Sequence, residues 1–155
     1  LSNNPGALVL ERAKNLGVQN LVFTKQQLND SKWANENLKD LDLVVLAGFL
    51  WKLPDHILES YKNKVVNVHP ALLPKYGGKG MYGMRVHQAV VENNESESGI
   101  TIHYVNEHYD EGAVIFQAKC TISPTDTPND VAAKIHQLEM KYFPEAVQQI
   151  LYPHG

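Results

Sequence analysis

Asn67 and His69 stand two residues apart in Val65–His69, a run that reads as a strand. An amide and an imidazole therefore leave the same face of one element. Pro70 and Pro74 follow and stop regular structure, which suits a strand that opens into a pocket wall. A carboxylate, Asp110, comes later in the turn Tyr109-Asp110-Glu111-Gly112. An amide can donate to a developing oxyanion, an imidazole can shuttle a proton, and a carboxylate can hold that imidazole charged. Together they have the chemistry of acyl-group transfer. Taken singly, the same residues are ordinary: histidines at strand ends are often structural, and Asn and Asp are common turn formers. The functional reading therefore depends on the three converging.

The elements that must bring them together alternate at short spacing. Asn4-Pro5 offers a helix cap followed by proline, with Gly17 at the far end. Leu21–Phe23 reads as a short strand and Lys32–Leu38 as a weaker helix. Leu41–Ala47 is a nearly continuous aliphatic run, expected to be a strand buried on both faces. Pro54 opens a helix through Tyr61, and Val65–His69 is the next strand. Such alternation predicts an α/β fold with a parallel sheet and right-handed crossovers. The pattern then changes. Gly99–Val105 puts Ile100, Ile102 and Tyr104 on one face and Thr101, His103 and Val105 on the other. With Ala113–Ile122 it predicts an antiparallel or otherwise mixed addition. Thr127-Pro128-Asn129-Asp130 caps a long final helix whose Val131, Ile135, Leu138 and Tyr142 should pack on the sheet, with a kink or restart at Pro144. Ligands of open sheets bind beyond the carboxyl ends of the strands, where Gly48–Leu53 and His69–Pro74 fall. The expectation is a single domain over 1–155.

Composition narrows the function classes. With 155 residues, 43% of them hydrophobic and 20% charged, the chain is ordinary globular material. A net charge of −3 leaves no basic footprint for nucleic acid. The single cysteine, Cys120, excludes an intrachain disulfide. No apolar run is long enough to cross a membrane, and the opening residues do not form a signal peptide, so a cytoplasmic location is expected. Gly78-Lys79-Gly80-Met81-Tyr82-Gly83 spells G-x-G-x-x-G, but the glycines follow no strand directly, two prolines intervene and no strand-ending acid occurs about twenty residues on, so it reads as a loop before the helix Val86–Glu92. His56, His87, His136 and His154 are scattered, and His103 and His108 have no third ligand at metal spacing, so no metal is expected.

Asn67, His69, Pro70, Ala71, Leu72, Leu73, Pro74, Tyr76 and Gly78, followed by Asp110 and Gly112, resemble the signature of the folate-dependent formyltransferases. The likeness covers nearly the whole chain and is strongest to the branch that formylates glycinamide ribonucleotide. It implies a Rossmann-like, mostly parallel open sheet with helices on both faces, a C-terminal antiparallel or mixed strand pair and a long final helix. It implies 10-formyltetrahydrofolate as cosubstrate, glycinamide ribonucleotide as amine substrate, a place in purine synthesis, and a homodimer as an admissible assembly. His69 would be the general acid, Asn67 would steady the formyl oxygen, and Asp110 would pair with His69 and raise its pKa. Leu50, Trp51, Lys52 and Leu53 match the stretch lining the folate pocket. Asn106, Glu107, His108, Tyr109 and Asp110 match the loop over the pterin, and His136, Gln137, Leu138 and Glu139 match the turn that meets the amine. Three departures stand out. Trp51-Lys52 replaces a basic residue common in the folate stretch, and the loop Gly77–Val86 is longer than usual. The chain also begins near the end of the family's second strand, so the first strand, first helix and glycine-rich phosphate-binding turn are expected to be missing. The rival readings are a formyltetrahydrofolate hydrolase with a similar Asn-His-Asp set and a non-catalytic folate-binding module.

Overall fold

The computed structural model describes residues 1–153, which fall into two compact units. The first comprises Leu1–Leu41 with Leu53–Ile57. Its helix α1 (Leu8–Asn15) begins later than Asn4-Pro5 predicts. The Asn4 side chain accepts from the Gly6 amide and its carbonyl from Ala7 N–H, so residues 4–7 are committed to a turn before the helix starts. Gly17, at φ +66°, ends it as expected: its N–H and that of Val18 reach back to Lys14 and Ala13. Leu21–Phe23 contributes one parallel bridge, Ser2 to Val22, in place of a full strand. Helix α2 (Lys25–Asn29) was not anticipated, although Thr24 and Gln27 form a capping box in front of it. Helix α3 (Ser31–Asn37) follows at once, capped by Asp30.

The second unit comprises Asp42–Lys52 and the chain from Leu58 onward, with helix α4 (Asp55–Ser60) entering it. It holds a four-stranded sheet in the order β1-β2-β3-β4. Strand β1 (Val44–Leu46) pairs parallel with β2 (Val65–His69), as the alternation predicts. Strands β3 (Glu97–Tyr104) and β4 (Val114–Thr121) add two antiparallel pairings, making the sheet mixed. The expectation that Leu41–Ala47 is buried on both faces fails: β1 is three residues long and Val45 is 41% exposed. The long helix of this unit packs on β3 and β4, at the other end of the sheet order, so β1 receives less cover within the unit.

Helix α5 (Met84–Glu92) and helix α6 (Pro128–Leu151) pack on each other, and α6 lies on the sheet. Thr127 and Asp130 form the expected capping box, and α6 continues as one element through Pro144 instead of restarting there. Its Val131 and Ile135 join Val66, Val90, Ile100 and Ile102 in the core, with Leu138 and Tyr142 packed against them. Val66, Ile100 and Ile102 share one face of the sheet, as period-2 alternation requires. The opposite face of β2 and β3 carries the polar residues.

Candidate active site

Antiparallel register puts Asn67 opposite His103 and His69 opposite Thr101, and on β4 it puts Gln117 opposite Thr101. Five polar side chains thus share one face across three strands. The Asn67 amide nitrogen lies 3.1 Å from His103 Nε2. His103 Nδ1 lies 2.9 Å from the Tyr104 carbonyl, which requires a proton on that nitrogen and leaves Nε2 of the neutral ring to accept from Asn67. Sequence reasoning set His103 aside as a poor metal ligand; its register opposite Asn67 was the signal that could have recovered it.

Thr101 anchors the segment after β2. Its buried hydroxyl donates to the Ala71 carbonyl at 2.7 Å and accepts from Leu73 N–H at 2.9 Å. The Gln117 amide donates to Thr101 Oγ1 at 2.9 Å and to the Leu73 carbonyl at 3.1 Å. The prolines end the strand, and this network decides where the chain goes next. It leads to Tyr76, at φ +56°, whose carbonyl stands 2.7 Å from His69 Nε2.

Asp110 arrives from the turn between β3 and β4, itself at φ +58°, a region that Asp tolerates better than most residues. One carboxylate oxygen, Oδ1, lies 3.5 Å from His69 Nδ1 and 3.6 Å from His103 Nε2. The other, Oδ2, accepts from Gly78 N–H at 2.9 Å. Gly112 lets the turn close: a Cβ there would run into the Tyr104 carbonyl and stand 3.5 Å from His103 Nδ1. Asn67, His69 and Asp110 therefore do converge, with His103 as an unanticipated fourth member and Gly78 of the G-x-G-x-x-G loop as a backbone donor.

Asp110 acts on His69 in the expected direction, but a second influence opposes it. Asp110 and the Tyr76 carbonyl both favour protonated His69, but burial outweighs them and holds its pKa below the ordinary 6.5. His87, buried on α5, is lowered for the same first reason, and His69 adds to it.

The remaining predicted residues have surroundings of their own. Leu50 is exposed, Trp51 is half-buried with its ring edge-on to Phe49 at 6.1 Å, Lys52 is exposed and Leu53 is buried. In the loop, Asn106 Oδ1 accepts from His108 N–H at 2.9 Å, while Glu107, His108 and Tyr109 face solvent. On α6, Glu139 pairs with His136 at 3.6 Å, and burial raises its pKa above the ordinary value. Gln137 is exposed and Leu138 packs on the core. None of His136–Glu139 bonds to the Asn67–Asp110 cluster. His154 lies outside the described residues. Among the described residues, no group of three or more His, Cys, Asp or Glu side chains could hold a metal ion, and no helix is long and apolar enough to cross a membrane.

A buried imidazole facing a carboxylate, with an amide beside them on an α/β sheet, has the groups that acyl transfer needs: a proton carrier, a charge to stabilise it and an oxyanion donor. Relatives narrow the class. The chain belongs to the formyl transferase family, whose model matches residues 1–147. It is 38% identical over 147 residues to the chloroplastic phosphoribosylglycinamide formyltransferase of Arabidopsis thaliana, covering 90% of this chain and 50% of that protein. It is 32% identical over 154 residues to the phosphoribosylglycinamide formyltransferase of Haemophilus influenzae, covering 96% of this chain and 70% of that one. The crystal structure of phosphoribosylglycinamide formyltransferase from Streptococcus pneumoniae superposes with a TM-score of 0.81 at 31% identity, over 96% of this chain and 83% of that chain. The chain spans about half the length of the plant relatives it matches.

Proposed function

We propose that the chain transfers a formyl group from 10-formyltetrahydrofolate to the amine of glycinamide ribonucleotide, with Asn67, His69 and Asp110 at the reacting centre. The observation that carries this reading is the Asp110 carboxylate, whose Oδ1 lies 3.5 Å from His69 Nδ1 while its Oδ2 accepts from Gly78 N–H. The likeness to named phosphoribosylglycinamide formyltransferases supports the choice of donor and acceptor. A family match that runs through both units supports reading 1–155 as one catalytic domain.

The neutral amine attacks the formyl carbon, and negative charge develops on the formyl oxygen. One N–H of the Asn67 amide is spent on His103, so its second N–H is the donor left for that oxygen. The attacking nitrogen must lose a proton, and the departing folate nitrogen must gain one. His69 carries its own proton on Nε2, toward the Tyr76 carbonyl, so Nδ1 is the ring atom that takes up and returns the mobile proton. Asp110 stabilises the imidazolium formed. Burial favours the neutral ring, so His69 first accepts the amine's proton and acts as the acid only once it has taken it up. Leu50–Leu53 and Asn106–Asp110 are proposed to meet the folate, and His136–Glu139 the amine substrate.

The test is release of tetrahydrofolate from 10-formyltetrahydrofolate with and without glycinamide ribonucleotide. Release that requires the ribonucleotide supports the transferase. Release that ignores it assigns a hydrolase, with water as acceptor, and folate binding without release assigns a binding module.

A further inference from the structure

His69 cannot choose its own ring orientation; something must hold the carbonyl to which Nε2–H is bonded. That carbonyl belongs to Tyr76, a non-glycine residue at φ +56°, a conformation that persists only where its surroundings enforce it. Two restraints are visible. The Tyr76 ring packs against the core, and its hydroxyl donates to Glu95 Oε1 at 2.9 Å. Glu95 lies just beyond α5 and is clamped in turn by Lys75 Nζ at 2.9 Å on the same oxygen.

We propose that Glu95 is a positioning residue: through the Tyr76 hydroxyl it fixes the Tyr76 carbonyl against His69 Nε2, and so sets which ring nitrogen carries the exchangeable proton. The chain runs from Glu95 Oε1 to the Tyr76 hydroxyl at 2.9 Å, through the covalent frame of Tyr76, and from its carbonyl to His69 Nε2 at 2.7 Å. With Nε2 tied to that carbonyl, Nδ1 faces Asp110, where uptake of a proton is stabilised. The charges bearing on the latch itself are Glu95 and Lys75; those bearing on the ring are Asp110, His103 and His87. The lowered pKa of Glu95, due first to Lys75 and then to the Tyr76 hydroxyl, and the phenol's rise to about 12 keep acceptor and donor in their working states at neutral pH.

The idea rests on the proposed transfer only for its consequence, because ring orientation can be read with no substrate present. The experiment is imidazole nitrogen NMR on the full chain, with the His69 signal identified by its loss in His69→Gln. In the wild type, neutral His69 should show the tautomer protonated at Nε2, with slow solvent exchange of that proton. Tyr76→Phe and Glu95→Ala should each speed the exchange by about tenfold, the effect of losing one ordinary hydrogen bond, and mix the tautomers. Glu95→Gln keeps an acceptor oxygen for the phenol and should restore wild-type behaviour. Glu95 is a partly exposed side chain, so its variants will fold even if Tyr76→Phe does not. Unchanged exchange in both disrupting variants overturns the proposal, whatever happens to melting temperature. Faster exchange in Tyr76→Phe but not in Glu95→Ala also overturns it, by placing the restraint in ring packing alone. If formyl transfer is absent from every variant and the wild type, the latch result still stands.

Discussion

Asp110 uses its two oxygens for different tasks, and this asymmetry makes its replacement informative. Oδ1 faces two imidazoles and Oδ2 accepts from a backbone N–H. Asp110→Asn can keep the Gly78 N–H bond through its oxygen and turn its NH2 toward the unprotonated Nδ1 of His69, but it brings no negative charge to stabilise the imidazolium. The expected result is a fall in turnover of roughly 10²–10⁴, the usual weight of a positioned proton-transfer group, with the circular dichroism spectrum unchanged. His69→Ala should show a loss of similar size, measured as tetrahydrofolate release. The buried ring also predicts a pH effect on stability. Its folded pKa is below the ordinary 6.5, so its contribution is fully present above the unfolded value and is lost as pH falls through the folded one. Melting temperature should therefore decline on acidification below about pH 6.5, and His69→Gln should flatten that part of the profile. At this scale the sequence was informative about residue types and silent about competition. Asn67, His69 and Asp110 could be chosen from spacing and turn chemistry, but burial winning over Asp110 at His69 depends on distances that no spacing encodes. His103 was missed because its partner lies 36 residues away in sequence and directly opposite in the sheet.

The site's supports act as elements. Strand β3 supplies both His103 and the Thr101 hydroxyl that anchors the loop after β2. Thr101→Val keeps the shape but strands the Leu73 N–H and the Ala71 carbonyl. It should cost roughly 1–3 kcal/mol in urea unfolding and lower turnover although it touches no reacting group. Gln117→Ala, at an exposed position on β4, should reproduce the turnover effect more weakly, since Thr101 still bonds the loop. Strand faces and helix caps were legible because alternation and capping are local codes: Ile100, Ile102 and the Thr127–Asp130 box fall where they were expected. The start of α1 and the extent of β1 were not. Asn4 can serve a turn as well as a cap, and cover over Val45 is a property of neighbours, not of an aliphatic run.

Across the whole sheet unit, β3 is the keystone. Six consecutive residues, Ser98–His103, are buried, with apolar side chains on one face and the site on the other. Ile102→Ala should cost about 2–5 kcal/mol, read from the unfolding midpoint, as for other fully buried isoleucines. It should also loosen the site, because Ile102 adjoins His103 at the register shift between β3 and β4. The central position of β3 also imposes a timetable on synthesis. A ribosome adds roughly 5–20 residues per second, so Asn67 and His69 leave the exit tunnel several seconds before β3 and Asp110 do. During that interval β2 has only β1 beside it, and Val66 and Val68 lack the helix that will cover them. The two halves of the site are born apart, and the nascent chain must keep an aliphatic strand from wrong partners until its neighbour emerges.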